Sequence, residues 1–279
     1  RVRGYSMKKR KGIILAGGSG SRLYPLTISV SKQLLPVYDK PMIYYPLTVL
    51  MLMDIRDILI ITTPRDQAQF QLLLGDGSKW GVSLSYKEQP KPEGLAQAFI
   101  LAEDFLSGAP SALILGDNIF FGHGLQEFLA AANEQSSGAT IFAYHVSDPE
   151  RYGVVDFNDD GTVKAIIEKP KVPPSKFAVT GLYFVDETAP KRAKSVEPSA
   201  RGELEIVSLL ETYLQDGSLC VETMGRGYAW LDTGTYTSLL DAANFVRTLS
   251  KRQGLEIGSP DEIAYKRKWI LKNRSDTTL

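Results

Sequence analysis

The chain has a single cysteine, Cys220, among its 279 residues. One thiol can form neither an intrachain disulfide nor a cysteine-rich zinc site. Histidine is almost as scarce. His123 and His145 are the only two, too few for a histidine metal centre, and neither is assigned a catalytic role. Surplus charge is also missing. The 32 Lys and Arg balance 32 Asp and Glu, for a formal net charge of zero, whereas a general nucleic-acid binder is usually basic; no nucleic-acid partner is expected. No apolar run is long enough to span a bilayer, so no membrane partner is expected and the chain reads as cytoplasmic. The basic opening RVRGYSMKKRKG is followed by an apolar run of only about five residues, too short for the core of a signal peptide. Met7 reads as a natural start, Arg1 to Ser6 as a leader before it, and Lys8 to Lys11 as a solvated face.

What is present is a globular composition. Hydrophobic residues make up 43%, enough for a substantial core and too many for a disordered chain. Apolar runs of strand length, Asp57 to Thr62, Val82 to Lys87 and Ser111 to Leu115, alternate with helical patterns at Pro41 to Met53, Arg65 to Leu74 and Gly94 to Leu106. Pro46 is expected to kink or shorten the first helix. This alternation predicts an α/β fold: a Rossmann-like, mostly parallel central sheet flanked by helices. From about Ala139 short strands dominate: Thr140 to Val146, Gly153 to Phe157, Thr162 to Glu168 and Ala178 to Val185. Asp159-Asp160-Gly161 forms a hairpin-type turn among them. Helical pattern returns at Glu203 to Gln215 and Tyr236 to Arg252, and Ser259-Pro260-Asp261-Glu262 reads as a helix start. No Pro/Gly/Ser linker, repeat or low-complexity segment divides the chain. One domain over 1–279 is expected: a nucleotide half (about 7–138), a mixed-strand sugar half (about 139–252) and a C-terminal helical segment (about 253–279).

The stretch around which the chain is organised is KGIILAGGSGSRLYPLTISVSKQLLPV, Lys11 to Val37. An apolar strand stops at Gly17-Gly18-Ser19-Gly20, where glycine permits positive φ and close approach. Such a loop can turn several N–H groups toward one anion, and Arg22 and Lys32 follow it. A triphosphate cradle and an ordinary strand-to-helix turn both fit the glycines alone. Two familiar phosphate loops do not fit. No Lys-Ser or Lys-Thr follows Gly20 as a P-loop requires, and the dinucleotide fingerprint needs glycine where Leu23 stands. Beyond the loop, ALILGDNIF (Ala112 to Phe120) sets Asp117 just past a buried strand. Ligands collect there in open α/β sheets. That carboxylate suits Mg²⁺, which prefers oxygen and bridges phosphates; it equally suits a helix N-cap.

GGSGSRLYPLT followed by SKQLLPVYDKPMIYYPL closely resembles the sugar-nucleotidyltransferase family, and Ser31 to Leu47 resembles its thymidylyl branch. The resemblance runs from about Met7 to about Ile270, with Ser21 where the family usually has Thr. It implies the nucleotide-diphospho-sugar transferase fold and transfer of a nucleotidyl group from dTTP to glucose 1-phosphate, giving dTDP-glucose, the first step of dTDP-rhamnose-type deoxysugar synthesis. It implies Mg²⁺ shared by Asp117 and by Asp232 of GRGYAWLDTGT, and a catalytic set of Arg22, Lys32, Asp117, Lys169 and Asp232. Gly17, Gly18, Ser19, Gly20, Ser21, Gln33, Gln89 and Gly94 match nucleotide positions. A glutamine amide, both donor and acceptor, suits the pairing edge of thymine or uracil. Asn118, Tyr152, Gly153, Glu168, Lys169, Val179, Tyr183 and Arg201 match the sugar-phosphate side, Arg201 through RGELEI. After Ile206 the family's Thr-Asp is replaced by Val207-Ser208.

The resemblance further implies a homotetramer with a second nucleotide-sugar site, open to dTDP-rhamnose as effector. It ends after about Ile270, in LKNRSDTTL. Relatives carry a helical tail there, so weakened feedback and weaker assembly are expected beside an intact active site. The rival readings are a uridylyl- or other nucleotidyltransferase acting on a sugar 1-phosphate, a non-catalytic nucleotide-binding relative, and a dinucleotide-dependent oxidoreductase. Arg22, Lys32, Asp117 and Asp232 are all present, against the second; the glycine spacing argues against the third.

Overall fold

Residues 13–16 are apolar without interruption because their strand has covered faces on both sides. A computed structural model describes residues 8–271; the leader assigned to Arg1 to Ser6 and the tail beyond Leu271 lie outside the described residues. The strands are β1 (Lys11–Ala16), β2 (Pro36–Val37), β3 (Lys40–Pro41), β4 (Asp57–Thr62), β5 (Ser83–Glu88), β6 (Ser111–Leu115), β7 (Asn118–Gly122), β8 (Ala139–His145), β9 (Gly153–Phe157), β10 (Val163–Glu168), β11 (Phe177–Val185), β12 (Leu219–Met224) and β13 (Tyr228–Asp232). The helices are α1 (Tyr44–Leu52), α2 (Gln67–Leu74), α3 (Gln97–Leu101), α4 (Glu103–Leu106), α5 (Leu125–Glu134), α6 (Ala189–Lys194), α7 (Ile206–Gln215), α8 (Tyr236–Gln253) and α9 (Pro260–Lys266).

Strands β5, β4, β1 and β6 lie side by side and parallel. Successive side chains on a strand point to opposite faces. Ile14, Ile58, Ile60, Ala112 and Ile114 therefore pack with Leu47, Leu50 and Met51 of α1, Phe70 of α2 and Leu129 of α5. Ile13, Leu15, Leu59, Ile61 and Leu113 pack the other way, with Ala98 and Phe99 of α3, Ala189 of α6 and Leu209 of α7. Next to β6 the direction reverses. The long β11 runs antiparallel to β6, β8 and β9, and β12 joins β8 in parallel. The central sheet is thus mostly parallel, with a mixed second half, as expected. A separate ladder, β7 with β13, stands outside it over a third apolar cluster that joins Leu23 and Ile119 to Ala242 and Val246 of α8.

Several local expectations shift. The first helix is shorter than the expected Pro41 to Met53, as Pro46 suggested. The helix begins at Tyr44, so Pro46 falls in the first turn, where its missing N–H has no partner to lose. The helix expected from Gly94 starts later, because Gly94 has φ 102°, and it loosens at Ala102 (φ −85°, ψ −5°) between α3 and α4. β7, β12, β13, α5 and α6 had no counterpart in the expected pattern. Thr235 caps α8 in a capping box with Ser238, and the Ser259 hydroxyl accepts from the Glu262 N–H at the start of α9. No described helix is long and apolar enough to cross a membrane.

The edge of the sheet opposite the strands' carboxyl ends is tied by one cation. Arg10 is 7% exposed and donates to the carbonyls of Ser111 and Val185 in the sheet and of Ala132, Asn133 and Gln135 at the end of α5. Burial lowers its pKa to about 10, with Asp186 opposing the shift, so it stays charged at neutral pH. Arg10→Met strands these carbonyls in a buried place. The expected loss is about 2–4 kcal/mol of unfolding free energy, read by urea denaturation. A loss under roughly 0.5 kcal/mol would show that the carbonyls find other partners.

Candidate active site

β1 ends and the chain turns through Gly18 (φ 95°) and Gly20 (φ 63°). A short 3₁₀ turn, Ser21–Leu23, buries Leu23 and leaves Arg22 at the rim. The guanidinium lies against Gly234, where an added Cβ would meet Arg22 Nη2 at 3.0 Å. A second 3₁₀ turn, Lys32–Leu34, buries Gln33 and sends Lys32 to an ion pair with Asp117.

Asp117 occupies the single residue between β6 and β7 that follows Gly116. The Gly116 N–H donates to the Leu15 carbonyl at 2.9 Å, and a Cβ at Gly116 would stand 3.0 Å from that oxygen, so the turn needs glycine. The β7–β13 ladder pairs Asn118 with Asp232, and the Thr233 hydroxyl donates to the Asp117 carbonyl at 2.9 Å. Register alone therefore carries both carboxylates to one end of one ladder. Asn118 is the local anchor. Its Oδ1 accepts from Trp230 Nε1 at 2.6 Å and from the Gly181 N–H at 3.1 Å, while its Nδ2 donates to Asp117 Oδ1 at 2.8 Å. Gly181 lies where the β11–β8 register shifts, and a Cβ there would sit 2.4 Å from Asn118 Oδ1.

Two cavities adjoin. The larger, about 670 Å³, is lined by Arg22, Asp117, Asn118, Tyr152, Gly153, Glu168, Lys169, Val179, Tyr183, Arg201 and Asp232, all singled out from sequence. The smaller, about 250 Å³, is lined by Gly17, Gly18, Gln33, Gln89 and Gly94. Asp117 and Leu115 belong to both walls. Ser19 lies on a third hollow, about 240 Å³, with Thr63 and Arg65, which borders the smaller cavity at Gly18 and Gln89. Gly20 packs on Thr27, and Ser21 opens the 3₁₀ turn; neither lines the two cavities.

Most of the cations here rest on carboxylates, Arg22 at the rim excepted. Arg201 pairs with Glu205 at 2.7 Å and with Glu168 and Glu203 at 3.5 Å each. Lys169, at φ 42°, pairs with Glu168 at 3.5 Å. Burial raises the Glu168 pKa, with Lys169 and Arg201 opposing. Burial would raise Asp232 too, but the Tyr152 hydroxyl (2.8 Å), the Gly234 N–H (3.2 Å) and Arg151 (3.2 Å) outweigh it and hold the carboxyl below its ordinary value. Arg151, Trp230 and Glu205 escaped the sequence reading. Each lies beside a quoted residue, Tyr152, Asp232 or Arg201, but its task is set by long-range contacts that no local pattern carries. Asp117 and Asp232 lie at the same end of the β7–β13 ladder, and a hard cation asks for one or two protein carboxylates, taking its other oxygens from phosphate and water. No cluster of three or more His, Cys, Asp or Glu able to hold a metal occurs among the described residues.

The family model for nucleotidyl transferases matches residues 11–248. The chain belongs to the nucleotidyl transferase family. Among its relatives, the glucose-1-phosphate thymidylyltransferase of Xanthomonas campestris pv. campestris is 61% identical over 264 residues, 95% of this chain and 90% of that one. The enzyme of the same name from Mycolicibacterium smegmatis is 57% identical over 260 residues, covering 93% and 90%. A solved structure from Bacillus anthracis, described under the same name and holding sucrose, aligns with TM-score 0.81 at 41% identity, over 91% of this chain and 99% of that one. A UDP-glucose pyrophosphorylase complexed with UDP-glucose aligns with TM-score 0.75 at 22% identity, over 87% and 100%, a likeness of fold alone. As a nucleotidyltransferase, the chain carries its candidate site at the carboxyl ends of the parallel strands, where open α/β sheets gather ligands.

The Tyr152 hydrogen bond has a measurable consequence in divalent-free protein. A depressed carboxyl pKa contributes stability that is present above the unfolded value and lost as pH falls through the folded one. Tyr152→Phe removes a donor to Asp232 Oδ2, so the Asp232 pKa moves up and its stabilising contribution at neutral pH shrinks. Carboxyl ¹³C NMR titration is expected to show the upward move, and the stability gap between variant and wild type narrows as pH falls. An unmoved Asp232 titration would show that Arg151 and the Gly234 N–H suffice.

Proposed function

We propose that the chain transfers a thymidylyl group from dTTP to glucose 1-phosphate, forming dTDP-glucose and releasing pyrophosphate. The observation that supports this most is the pair of adjoining cavities with Asp117 in their common wall. One is narrow and lined by glycines and two buried amides, suited to a base and the start of a triphosphate. The other is wide and lined by carboxylates, cations and the ring of Tyr183, suited to a sugar phosphate.

In the reaction so read, a phosphate oxygen of glucose 1-phosphate attacks the α-phosphorus of dTTP in line. A new P–O bond forms as the bond to the bridging oxygen of pyrophosphate breaks, and the electron pair leaves with pyrophosphate. The nucleophile is already an anion, so no protein base is required. The obstacle is repulsion between two anions, and positioning and electrostatics carry most of the catalysis. Arg22 at the glycine loop receives the β- and γ-phosphates. Lys32 exchanges Asp117 for phosphate oxygens near the reacting phosphorus. Lys169 and Arg201 exchange Glu168 and Glu205 for the sugar's phosphate, and the released Glu168 accepts from sugar hydroxyls. Asp117 and Asp232 would hold Mg²⁺, which when bound neutralises charge developing on the phosphate oxygens. Tyr152 and Arg151 keep Asp232 ionised and oriented. Assembly into a homo-oligomer, with a nucleotide-sugar effector site, is part of the same reading; exposed Tyr236 and Leu240 on α8 are consistent with a subunit contact.

Pyrophosphate release from dTTP, UTP and other triphosphates with a panel of sugar 1-phosphates tests the reaction directly. Asp117→Asn and Asp232→Asn are each expected to lower turnover by about two orders of magnitude or more, several kcal/mol of transition-state stabilisation. Near-normal turnover of either variant at saturating Mg²⁺ would overturn that carboxylate's role. The cations divide by substrate. Lys169→Ala and Arg201→Ala are expected to raise KM for glucose 1-phosphate far more than for dTTP, and Arg22→Ala the reverse. The opposite pattern would reassign the cations while leaving the reaction intact.

A further inference from the structure

We propose that Gln97 is a positioning residue that decides which face of the Gln89 amide meets the nucleobase, and that it thereby makes the smaller cavity select bases carrying a ring N–H. The inference rests on the nucleotidyl-transfer reading above and names the device by which that site chooses its base.

A glutamine amide can show a neighbour either its oxygen or its NH₂ group. The choice at Gln89 is set through two steps, a buried bond to Gln97 and a half-buried pair of bonds from Gln97 to Glu93. Glu93 contributes two groups of unambiguous character: its main-chain N–H can only donate, and its ionised carboxylate can only accept. The N–H donates to Gln97 Oε1 at 3.1 Å, and Gln97 Nε2 donates to Glu93 Oε2 at 2.9 Å. Gln97 is thus held by both ends in one orientation, with its oxygen turned to Gln89. That oxygen accepts from Gln89 Nε2 at 2.7 Å, so the Gln89 oxygen must face the other way. It lies over Gly17, where an added Cβ would stand 2.3 Å from Gln89 Oε1. Gly17 and Gln89 both line the smaller cavity, and Gln89 and Gln97 are 5% and 8% exposed. Water is therefore poorly placed to replace either glutamine amide, although Glu93 itself is exposed.

Gln33 is held the opposite way on the same wall. Its Nε2 lies on the Gly17 carbonyl at 3.4 Å, and its Oε1 accepts from the Ser31 hydroxyl at 2.9 Å. One amide therefore shows the cavity an acceptor and the other a donor. Thymine and uracil present a ring N–H beside a carbonyl, the complement of this pair. Cytosine presents a lone pair at the same ring nitrogen. It would face the Gln89 oxygen with no hydrogen between them, and a site built around a buried hydrogen bond rejects such a ligand strongly.

The test compares dUTP with dCTP, which share the sugar and differ only at the pairing edge, with glucose 1-phosphate and Mg²⁺, by pyrophosphate release. Wild type is expected to prefer dUTP at least about 100-fold in kcat/KM. Gln97→Met removes the anchor and lets the Gln89 amide rotate; the preference is expected to fall at least tenfold, through KM with kcat little changed. The double exchange Glu93→Gln/Gln97→Glu reverses donor and acceptor between the two positions but keeps an acceptor facing Gln89, and it is expected to keep the wild-type preference. Circular dichroism and thermal melting accompany each variant. A folded Gln97→Met with wild-type preference overturns the proposal. So does a folded double exchange that loses the preference, a result available even if Gln97→Met does not fold. A wild type that releases no pyrophosphate from dTTP overturns instead the functional reading beneath it.

Discussion

The site depends on the three hydrogen bonds of one side chain, Asn118. Its carbonyl oxygen gathers the indole of Trp230 on β13 and the main-chain N–H of Gly181 on β11, and its amide nitrogen steadies Asp117. It is 3% exposed, so these bonds form away from competing solvent, where an unpaired amide would cost free energy. Three segments remote in sequence are thereby held in one arrangement: the β6–β7 junction, the strand that ends at Asp232, and the strand that floors the wider cavity. Gly181 sits where the pairing of β11 with β8 shifts register, and its lack of a side chain lets the backbone bring its N–H to Asn118.

Much of the frame was legible because it obeys simple periodicities. β4 and β6 match the expected runs residue for residue, and the change of texture near Ala139 marks the passage from parallel to mixed strands. The departures have separate physical causes. Pro46 does go with a shorter helix, but by lying in its first turn rather than inside it. β7 and β13 are short and bracketed by polar residues that serve the site, so their pattern does not read as strand; each is stabilised by the other, across more than a hundred residues of chain.

The candidate site was legible in a similar proportion. The glycine loop, both aspartates, Lys169 and Arg201 sit in motifs whose neighbours mark them, and the fold brings all but Ser19, Gly20 and Ser21 to two adjoining walls or to an ion pair across them. The supporting partners were not legible. Arg151 reaches Asp232 across 81 positions and Trp230 reaches Asn118 across 112. Gln97 falls within the run Gly94 to Leu106, which reads only as helix, and the sequence carries no sign that its oxygen is turned to Gln89. Groups that touch a ligand tend to cluster in recognisable strings; groups that orient them are chosen by the tertiary contact.

The resting ion pairs of the wider cavity bear on how substrates arrive. Lys32, Arg151, Lys169 and Arg201 each already face a carboxylate, in a chain whose formal charge is zero. These paired charges cancel much of one another's field beyond a Debye length, so long-range attraction for an anion rests mainly on Arg22 at the rim. Attraction becomes strong only after contact, when phosphate replaces carboxylate partner by partner. Discrimination among anions is thereby placed at short range, with capture governed by how readily each carboxylate lets go.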